Sequence, residues 1–124
     1  MTKKLDIYKC ELCGNVIEVE FSGGGELVCC GQPMDLQAPN TVDAAKEKHV
    51  PVILSEKEGC AEVQIGEVAH PMTADHYIMW IGSACDKCAC RTYLKPGDEP
   101  KAEVCKCEDG KIKAYCNLHG LWEI

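Results

Sequence analysis

Eleven cysteines stand in this 124-residue chain, and they constrain the fold more than any other feature of the sequence. Because their number is odd, they cannot all pair as disulfides within one chain. Cysteine also serves as a small buried hydrophobic residue, but that use accounts for a few cysteines rather than eleven. In a reducing compartment, so many cysteines indicate metal binding or redox chemistry. We therefore expect metal centres to determine much of this fold.

The charge balance argues against several classes of partner. Thirteen basic and twenty acidic side chains give a formal net charge of −7, which disfavours nucleic acids and anionic membranes as partners. No run of about 20 apolar residues is present, so no membrane-spanning helix is predicted. The opening MTKKLDIYKCELC has no apolar core of a signal peptide. We therefore predict a cytoplasmic protein with no membrane or nucleic-acid partner.

The first 37 residues are predicted to form a small domain whose stability depends on a metal. So short a segment cannot bury enough apolar surface by itself. LDIY and VIEVEF alternate like strands on either side of CELCGN, and SGGGE turns the chain into LVCCGQPM. Four thiolates in this segment suit tetrahedral zinc or a single iron. They belong to Cys10, Cys13, Cys29 and Cys30.

Cys29 and Cys30 are neighbours, which is unusual for two ligands of one metal. Successive side chains normally diverge, so adjacent ligands require a local bend. Four sulfur ligands leave no open position, and such a centre serves structure or one-electron transfer rather than substrate binding. Four reduced structural thiols are the alternative, and the cysteines alone do not decide between iron and zinc.

Residues 38–124 carry the pattern of a second domain built from β-strands. A polar connector, DLQAPNTVDAAKEKH, contains NTVDAA, which could cap one short helical turn. From Val50 onward, turn signals separate about seven short strands, among them CAEVQIGEV with Ala61, Val63 and Ile65 on one face. The pattern predicts an immunoglobulin-like antiparallel β-sandwich, and a small barrel fits it as well.

All four histidines of the chain lie beside predicted strand ends. An isolated histidine is more often structural than a ligand, but one of these stands three residues from Cys116 in YCNLHG. With Cys116 they supply five donors, one more than a structural zinc usually takes. Five donors leave one position open on an octahedral metal, and nitrogen-rich ligation with one thiolate suits iron. The histidines are His49, His70, His76 and His119.

The order of these motifs resembles the desulfoferrodoxins, a family of two-iron superoxide reductases. The resemblance covers nearly the whole chain and rests on C-x2-C…CC, EKHVP, AHPM, HYI-x-WI, LKPGD and YCNLHGLW. It implies an all-β fold, with a desulforedoxin-like or rubredoxin-like domain over residues 1–37 and a β-sandwich superoxide reductase domain over residues 38–124. It also implies two mononuclear Fe2+/Fe3+ sites per chain. Cys10, Cys13, Cys29 and Cys30 would hold the first iron. In the second site, His49, His70, His76 and His119 would lie in a plane with Cys116 axial.

The reaction that the resemblance implies is the one-electron reduction of superoxide to hydrogen peroxide. Lys48, adjacent to His49, is the candidate cation that attracts superoxide and holds a proton-donating water. Glu47 resembles the family's glutamate that takes the sixth position in the oxidised resting state. Without the resemblance, Glu47 and Lys48 would be interpreted as an ordinary solvated pair. The family further implies a rubredoxin-like electron donor and a homodimer. Its four-cysteine iron would be an accessory electron-transfer or structural centre.

Two other functions are alternatives. One is an iron-containing electron carrier without superoxide turnover, and the other is a zinc-ribbon interaction module joined to a β-sandwich. The adjacent cysteines and the histidine set count against the second. Met34, Met72 and Met79 are interpreted as packing residues. Trp80 and Trp122 are interpreted as core residues or as a shell around the iron.

Six further cysteines are not explained by the resemblance. If PGDE is a four-residue hairpin loop, the register places Cys90 opposite Cys105 and Cys88 opposite Cys107 on one face of a sheet. Cross-strand disulfides and a third metal site are then alternatives to plain reduced thiols. A flat sheet face splays its side chains, which disfavours the metal, and we expect plain reduced thiols. The six are Cys60, Cys85, Cys88, Cys90, Cys105 and Cys107.

Overall fold

The computed structural model describes residues 2–40, 48–85, 87–107 and 110–124. The candidate Glu47 and the helical turn predicted after Asn40 lie outside these residues. The chain divides into two compact units, Met1–Ala38 and Pro39–Ile124. Within the described segments, no helix has the length and apolar character needed to span a membrane.

The first unit is built from short strands with few buried side chains. One antiparallel sheet has the order β2-β1-β5, and a separate hairpin joins β3 to β4. Ile7, Cys10 and Val19 are the buried apolar side chains among this unit's described residues. So small a core supports the prediction that a metal contributes much of this unit's stability. The strands are β1 (Ile7–Lys9), β2 (Val16–Glu18), β3 (Val28–Cys29), β4 (Gln32–Pro33) and β5 (Asp35–Leu36).

Seven strands are found in the described part of the second unit, as the turn signals predict. They are β6 (Pro51–Lys57), β7 (Cys60–Ile65), β8 (Ile78–Ala84), β9 (Ala89–Tyr93), β10 (Lys101–Cys105), β11 (Lys111–Cys116) and β12 (Gly120–Glu123). One sheet has the order β10-β7-β6 and the other has the order β12-β11-β8-β9. These two antiparallel sheets form the predicted immunoglobulin-like sandwich rather than a closed barrel.

The core between the sheets follows the alternation of the strands. Ala61, Val63 and Ile65 on β7 are at most 1% exposed, which confirms the face predicted for this strand. They pack in one apolar cluster with residues of the other sheet, including Ile81 and Ala114. Because side chains of a strand point alternately to its two faces, this cluster determines which residues of each strand face solvent.

The prediction that β9 and β10 form a hairpin is wrong. β9 pairs with β8 and β10 pairs with β7, so the connection LKPGDEP crosses from one sheet to the other. A hairpin register would place Pro100 in a ladder, where it has no N–H to donate. Instead, the carbonyl oxygen of Pro100 accepts a hydrogen bond of 2.9 Å from the Ile65 N–H. The N–H of Gly97 donates to the Met72 carbonyl oxygen at 2.8 Å.

The connections of the sandwich gather different residue types at its two ends. The pairs Pro51↔Ile65 and Ile78↔Cys116 lie at one end, where β6 and β8 begin and β7 and β11 finish. All four histidines precede or follow these strand ends. The pairs Cys60↔Cys105 and Ala84↔Lys111 lie at the opposite end. The cysteines that the resemblance does not explain are concentrated there.

Candidate metal centres

The imidazole rings of the second unit stand at the corners of a square. Centroids of neighbouring rings are 4.5 Å apart for His49–His70 and His70–His76, 4.9 Å for His76–His119 and 4.6 Å for His119–His49. Neighbouring ring planes meet at angles between 72° and 82°. The diagonal from His49 to His76 is 6.0 Å. Four nearly equal sides and a longer diagonal leave a central space that one metal ion could fill.

Cys116 contributes a sulfur close to two opposite corners of this square. Its Sγ lies 3.5 Å from His70 Nε2 and 3.8 Å from His119 Nδ1. These two distances place the sulfur near the plane that bisects the diagonal between His70 and His119, and it also lies within 4.8 Å of the ligand nitrogens of His49 and His76. The ligand atoms of four donors all lie within 4.8 Å of one another: those of His49, His76, Cys116 and His119. The fifth donor atom, His70 Nε2, lies 3.0 Å from His49 Nε2. The structure thus brings all five predicted donors together.

Two observations show that this donor set fits a metal ion. His76 Nε2 is buried without a hydrogen-bond partner among the described residues, an arrangement that is unfavourable unless another group satisfies the nitrogen. His70 Nδ1 lies 2.6 Å from the Pro71 carbonyl oxygen and can donate to it. That hydrogen bond selects the tautomer whose Nε2 lone pair points at the centre of the square.

The protonation states of the donors also favour metal binding. Burial lowers the pKa of His70 to about 4 and also lowers the pKa of His76. Both rings are therefore neutral near pH 7 and have a free lone pair. Burial raises the pKa of the Cys116 thiol. A cation in the centre would offset that desolvation and hold the sulfur as a thiolate.

A close backbone contact positions His49. Gly66 has a φ of +87°, and its N–H donates to the Val50 carbonyl oxygen at 3.0 Å. A Cβ at this position would lie 2.6 Å from the Lys48 carbonyl oxygen, so only glycine permits the approach. On the other side, the buried Trp122 ring stacks on His49 with centroids 4.7 Å apart. Trp80 has another environment, because the guanidinium of Arg91 lies over its ring.

Asn117 is a positioning residue that the sequence analysis missed. Its Oδ1 accepts a hydrogen bond of 2.9 Å from the Tyr77 N–H, and its Nδ2 donates to the Asp75 carbonyl oxygen at 3.0 Å. The segment around His76 is thereby attached to the turn that carries Cys116 and His119. The asparagine stands inside YCNLHG, but only tertiary contacts reveal its partners, some forty residues away.

The four predicted thiol ligands of the first unit also converge. Their sulfurs lie within 4.8 Å of one another, with 3.5 Å between Cys13 and Cys29 and 4.0 Å between Cys29 and Cys30. Metal–sulfur bonds of about 2.3 Å in a tetrahedron place sulfurs about 3.8 Å apart. The bend predicted at the adjacent pair is confirmed, because Cys30 has a φ of +53°. Backbone hydrogen bonding from Cys13 lowers the pKa of Cys10 to about 7.

The remaining cysteines do not all behave as predicted. Cys85 and Cys107 are joined as a disulfide, so the expectation of plain reduced thiols is wrong for this pair. The predicted neighbours Cys90 and Cys105 do meet, with the Cys105 N–H donating to Cys90 Sγ at 3.2 Å. They meet across the edges of two sheets rather than within one ladder.

Replacing Asn117 with alanine should weaken metal binding at the five-donor site. The substitution removes hydrogen bonds that orient a ligand-bearing segment, a change that typically costs about 10- to 100-fold in metal affinity. Metal analysis after competition with a chelator measures the effect, and the four-cysteine site serves as internal reference. Leu118→Ala is the matched control, because Leu118 lies in the same turn and is 61% exposed. Equal metal retention in the two variants would contradict the positioning role.

Two family sequence profiles together cover nearly all of the chain. The profile described as Desulfoferrodoxin matches residues 41–124, and the profile for the desulfoferrodoxin N-terminal domain matches residues 2–37. A desulfoferrodoxin homolog from Archaeoglobus fulgidus is 54% identical, with 99% of this chain and 98% of that protein aligned. A desulfoferrodoxin from Syntrophotalea carbinolica is also 54% identical, over 98% of this chain and 97% of its own.

A solved structure agrees with these sequence matches. The crystal structure of the superoxide reductase from Treponema pallidum is similar with a TM-score of 0.72 and 30% identity. The alignment covers 98% of this chain and 99% of that chain, so it includes both compact units. The family profiles, the relatives and the solved structure all align over nearly the whole chain. This chain therefore belongs to the desulfoferrodoxin family.

Proposed function

We propose that this protein is a superoxide reductase, which reduces superoxide to hydrogen peroxide with one electron and two protons. The observation that carries the proposal is the five-donor arrangement: four imidazoles at the corners of a square and one thiol close to all four. On an octahedral metal, five donors would leave one coordination position for a small ligand. Relatives from Thermococcus kodakarensis and Pyrococcus abyssi, 41% and 40% identical, are superoxide reductases by name.

Family membership and the two donor sets imply two mononuclear iron centres. When bound at the five-donor site, iron supplies the electron and the open position. The residues that would hold it are His49, His70, His76, His119 and Cys116. The sulfur and two of the imidazoles are almost fully buried, at 0% exposure for Cys116, 3% for His49 and 2% for His70. This burial excludes water from the inner side of the site and directs the substrate to the outer side.

Lys48 attracts the superoxide anion and retains a water that donates a proton. It is exposed and adjacent to His49 in the chain. The pKa of His76 is lowered mainly by burial, then by the charge of His119, and then by the positive charge of Lys48. This effect of Lys48 on His76 supports a position of the lysine close to the open side of the site. In a chain with a net charge of −7, a local cation is needed to concentrate an anionic substrate.

The first domain, residues 1–37, holds its iron through Cys10, Cys13, Cys29 and Cys30 as an accessory electron-transfer or structural centre. The second domain, residues 38–124, carries the reaction. A rubredoxin-like protein supplies the electrons. The cytoplasm is the proposed location, because the thiolate ligands of both centres need a reducing compartment.

We also propose a homodimer. Four large apolar side chains among the described residues of the first unit are more than half exposed, and exposed apolar surface is a common basis for association between proteins. Light scattering of the purified protein tests this proposal, and a mass of one chain would contradict it. The side chains are Leu12, Phe21, Val28 and Leu36.

Pulsed superoxide distinguishes a reductase from an electron carrier with the same centres. Reduced, anaerobic protein should be oxidised rapidly at the five-donor centre and release one hydrogen peroxide for each superoxide consumed. The visible spectrum reports the oxidation, and a peroxide assay reports the product. Oxidation without stoichiometric peroxide would favour the carrier.

Lys48→Ile should slow the bimolecular reaction with superoxide by up to about tenfold and flatten its ionic-strength dependence, because one focusing charge is lost. Stopped-flow or pulse-radiolysis rates over a salt series measure both effects. Lys57→Ile is the matched control, because it makes the same charge change at the far end of β6, about 20 Å away. If the rate constant falls by the same factor in both variants, Lys48 acts only through the net charge of the protein and not at the site.

Glu47→Ala should leave the first reaction with superoxide nearly unchanged but alter the visible spectrum of the oxidised protein. The reason is that Glu47 is proposed to occupy the sixth position in the resting oxidised state. Spectra of the oxidised variant and parent are compared at the same pH. An unchanged spectrum would remove Glu47 from the coordination sphere.

Cys30→Ser should cost the first domain both its iron and its fold, because metal binding in such small domains contributes on the order of 10 kcal/mol to folding. The second domain should keep its iron, so iron analysis is expected to fall from two atoms to one per chain. Tryptophan fluorescence should be retained, since both tryptophans are in residues 39–124. Loss of the superoxide reaction would show that the two domains depend on each other.

A further inference from the structure

A third group of thiols lies at the end of the sandwich opposite the histidines. The sulfurs of Cys85, Cys88 and Cys107 lie within 4.8 Å of one another. Neither iron centre uses these residues. Cys88 is exposed, while Cys85 and Cys107 are half-buried. A metal ion could therefore reach the group from solvent.

The three thiols are presented by turns rather than by a flat sheet face. Cys85 and Cys88 lie in the connection from β8 to β9, where the Cys85 N–H donates to the Cys88 carbonyl oxygen at 2.9 Å. Cys107 follows β10, and the Gly110 N–H donates to its carbonyl oxygen at 3.2 Å. A Cβ on Gly110 would lie 3.2 Å from Cys107 Cβ and 3.1 Å from the Ala84 carbonyl oxygen, so glycine permits this close approach. The splaying expected of a sheet face therefore does not apply.

Two of the three sulfur separations match those of the four-cysteine centre in the same protein, and the third pair, Cys85 and Cys107, is the disulfide. Cys88 Sγ lies 3.5 Å from Cys85 Sγ and 3.9 Å from Cys107 Sγ. The corresponding distances in the first unit are 3.5 Å and 4.0 Å. Both pairs of values bracket the separation of about 3.8 Å expected for thiolates on one tetrahedral metal.

Three other cysteines, Cys60, Cys90 and Cys105, lie at the same end of the sandwich. Cys90 Sγ accepts a hydrogen bond from the Cys105 N–H and lies 3.1 Å from Ser83 Oγ. Ser83 Oγ in turn donates to the Cys105 carbonyl oxygen at 2.6 Å. Cys60 is the ladder partner of Cys105 on β7. The group of three convergent sulfurs does not include these other cysteines.

We propose that Cys85, Cys88 and Cys107, when reduced, form a third metal site that binds one soft divalent cation such as Zn2+. The Cys85–Cys107 disulfide is then the oxidised form of the site, which cannot bind the cation. A thiol reductant opens the site: the disulfide takes up two electrons and two protons, and two reductant thiols become a disulfide. Three thiols then release three protons as the cation binds three thiolates. This site is independent of the superoxide reaction.

Three thiolates leave a fourth position on a tetrahedral cation. Cys107 also lines a cleft of about 190 Å³ whose walls include Lys111 and the apolar side chains of Ile53 and Ile112. The cleft gives a small ligand, such as water or a small anion, access to this end of the sandwich. The proposed site is therefore an open one, unlike the four-cysteine centre.

Zn2+ titration of the holoprotein tests the proposal. Protein with both irons in place is prepared anaerobically with and without a thiol reductant, freed of the reductant, and titrated in competition with a chromophoric chelator. The reduced sample should retain one Zn2+ per chain, and three of its six thiols outside the iron centres should become protected from a thiol reagent. The oxidised sample should retain none. Absence of Zn2+ binding by the reduced sample would overturn the proposal.

Cys88→Ser and Cys60→Ser form a matched pair of variants. Cys88 is exposed and outside the disulfide, so its replacement should leave the fold and both iron spectra unchanged. It should weaken Zn2+ binding by more than about 100-fold, since losing a ligand costs more than the 10- to 100-fold effect of losing an outer contact. Cys60→Ser should bind Zn2+ like the parent. Unchanged affinity in Cys88→Ser, or an equal loss in Cys60→Ser, would refute the site.

Discussion

Four imidazoles and a thiol meet at one end of a β-sandwich, and a bound cation is the interaction that makes this arrangement favourable. Without it, His76 Nε2 has no partner among the described residues, and burial opposes ionisation of Cys116. With it, all five donors gain a common partner. The strands that end there, the close approach at Gly66 and the hydrogen bonds of Asn117 all serve to hold the donors in place.

The two proposed iron centres divide their tasks according to their donors. Four thiolates close the coordination sphere in the first unit, where the left-handed backbone of Cys30 lets adjacent residues share one metal. In the second unit, five donors would leave one coordination position of a bound iron open. A substrate can bind only at the second type of centre. The first unit has so few buried side chains that its iron also contributes to its folding.

The histidines and the extra cysteines lie at opposite ends of the sandwich, so the length of a strand separates the two groups. The histidines gather where β8 begins, and the extra cysteines gather at the other end of this seven-residue strand. This span is about 20 Å, so thiols at one end cannot compete for the iron at the other. The proposed third site therefore adds a function to the fold without altering the superoxide-reducing centre.

Much of this protein could be predicted from local patterns. The alternation of Ala61, Val63 and Ile65, the seven strands and the nine iron-ligand candidates follow from residue spacing and from motifs that occur in a recognisable order. These features could be predicted because each depends on a short stretch of chain or on a motif that can be identified by itself. Eleven cysteines in 124 residues also have few uses besides metal binding, redox chemistry and disulfides, so their number narrows the possible functions.

Only the tertiary structure decided which distant segments meet. The role of Asn117, the crossing of LKPGDEP between sheets and the meeting of Cys85 with Cys107 depend on partners many residues away. The hairpin prediction was wrong because it treated a local turn signal as decisive. Pairing of β10 with β7 instead buries Ala102 and Val104 in the core, a gain that no local pattern reveals. The physical reason is that the apolar core between two sheets is formed by side chains from all their strands, so its stability depends on residues far apart in the chain. A turn depends only on the few residues that form it.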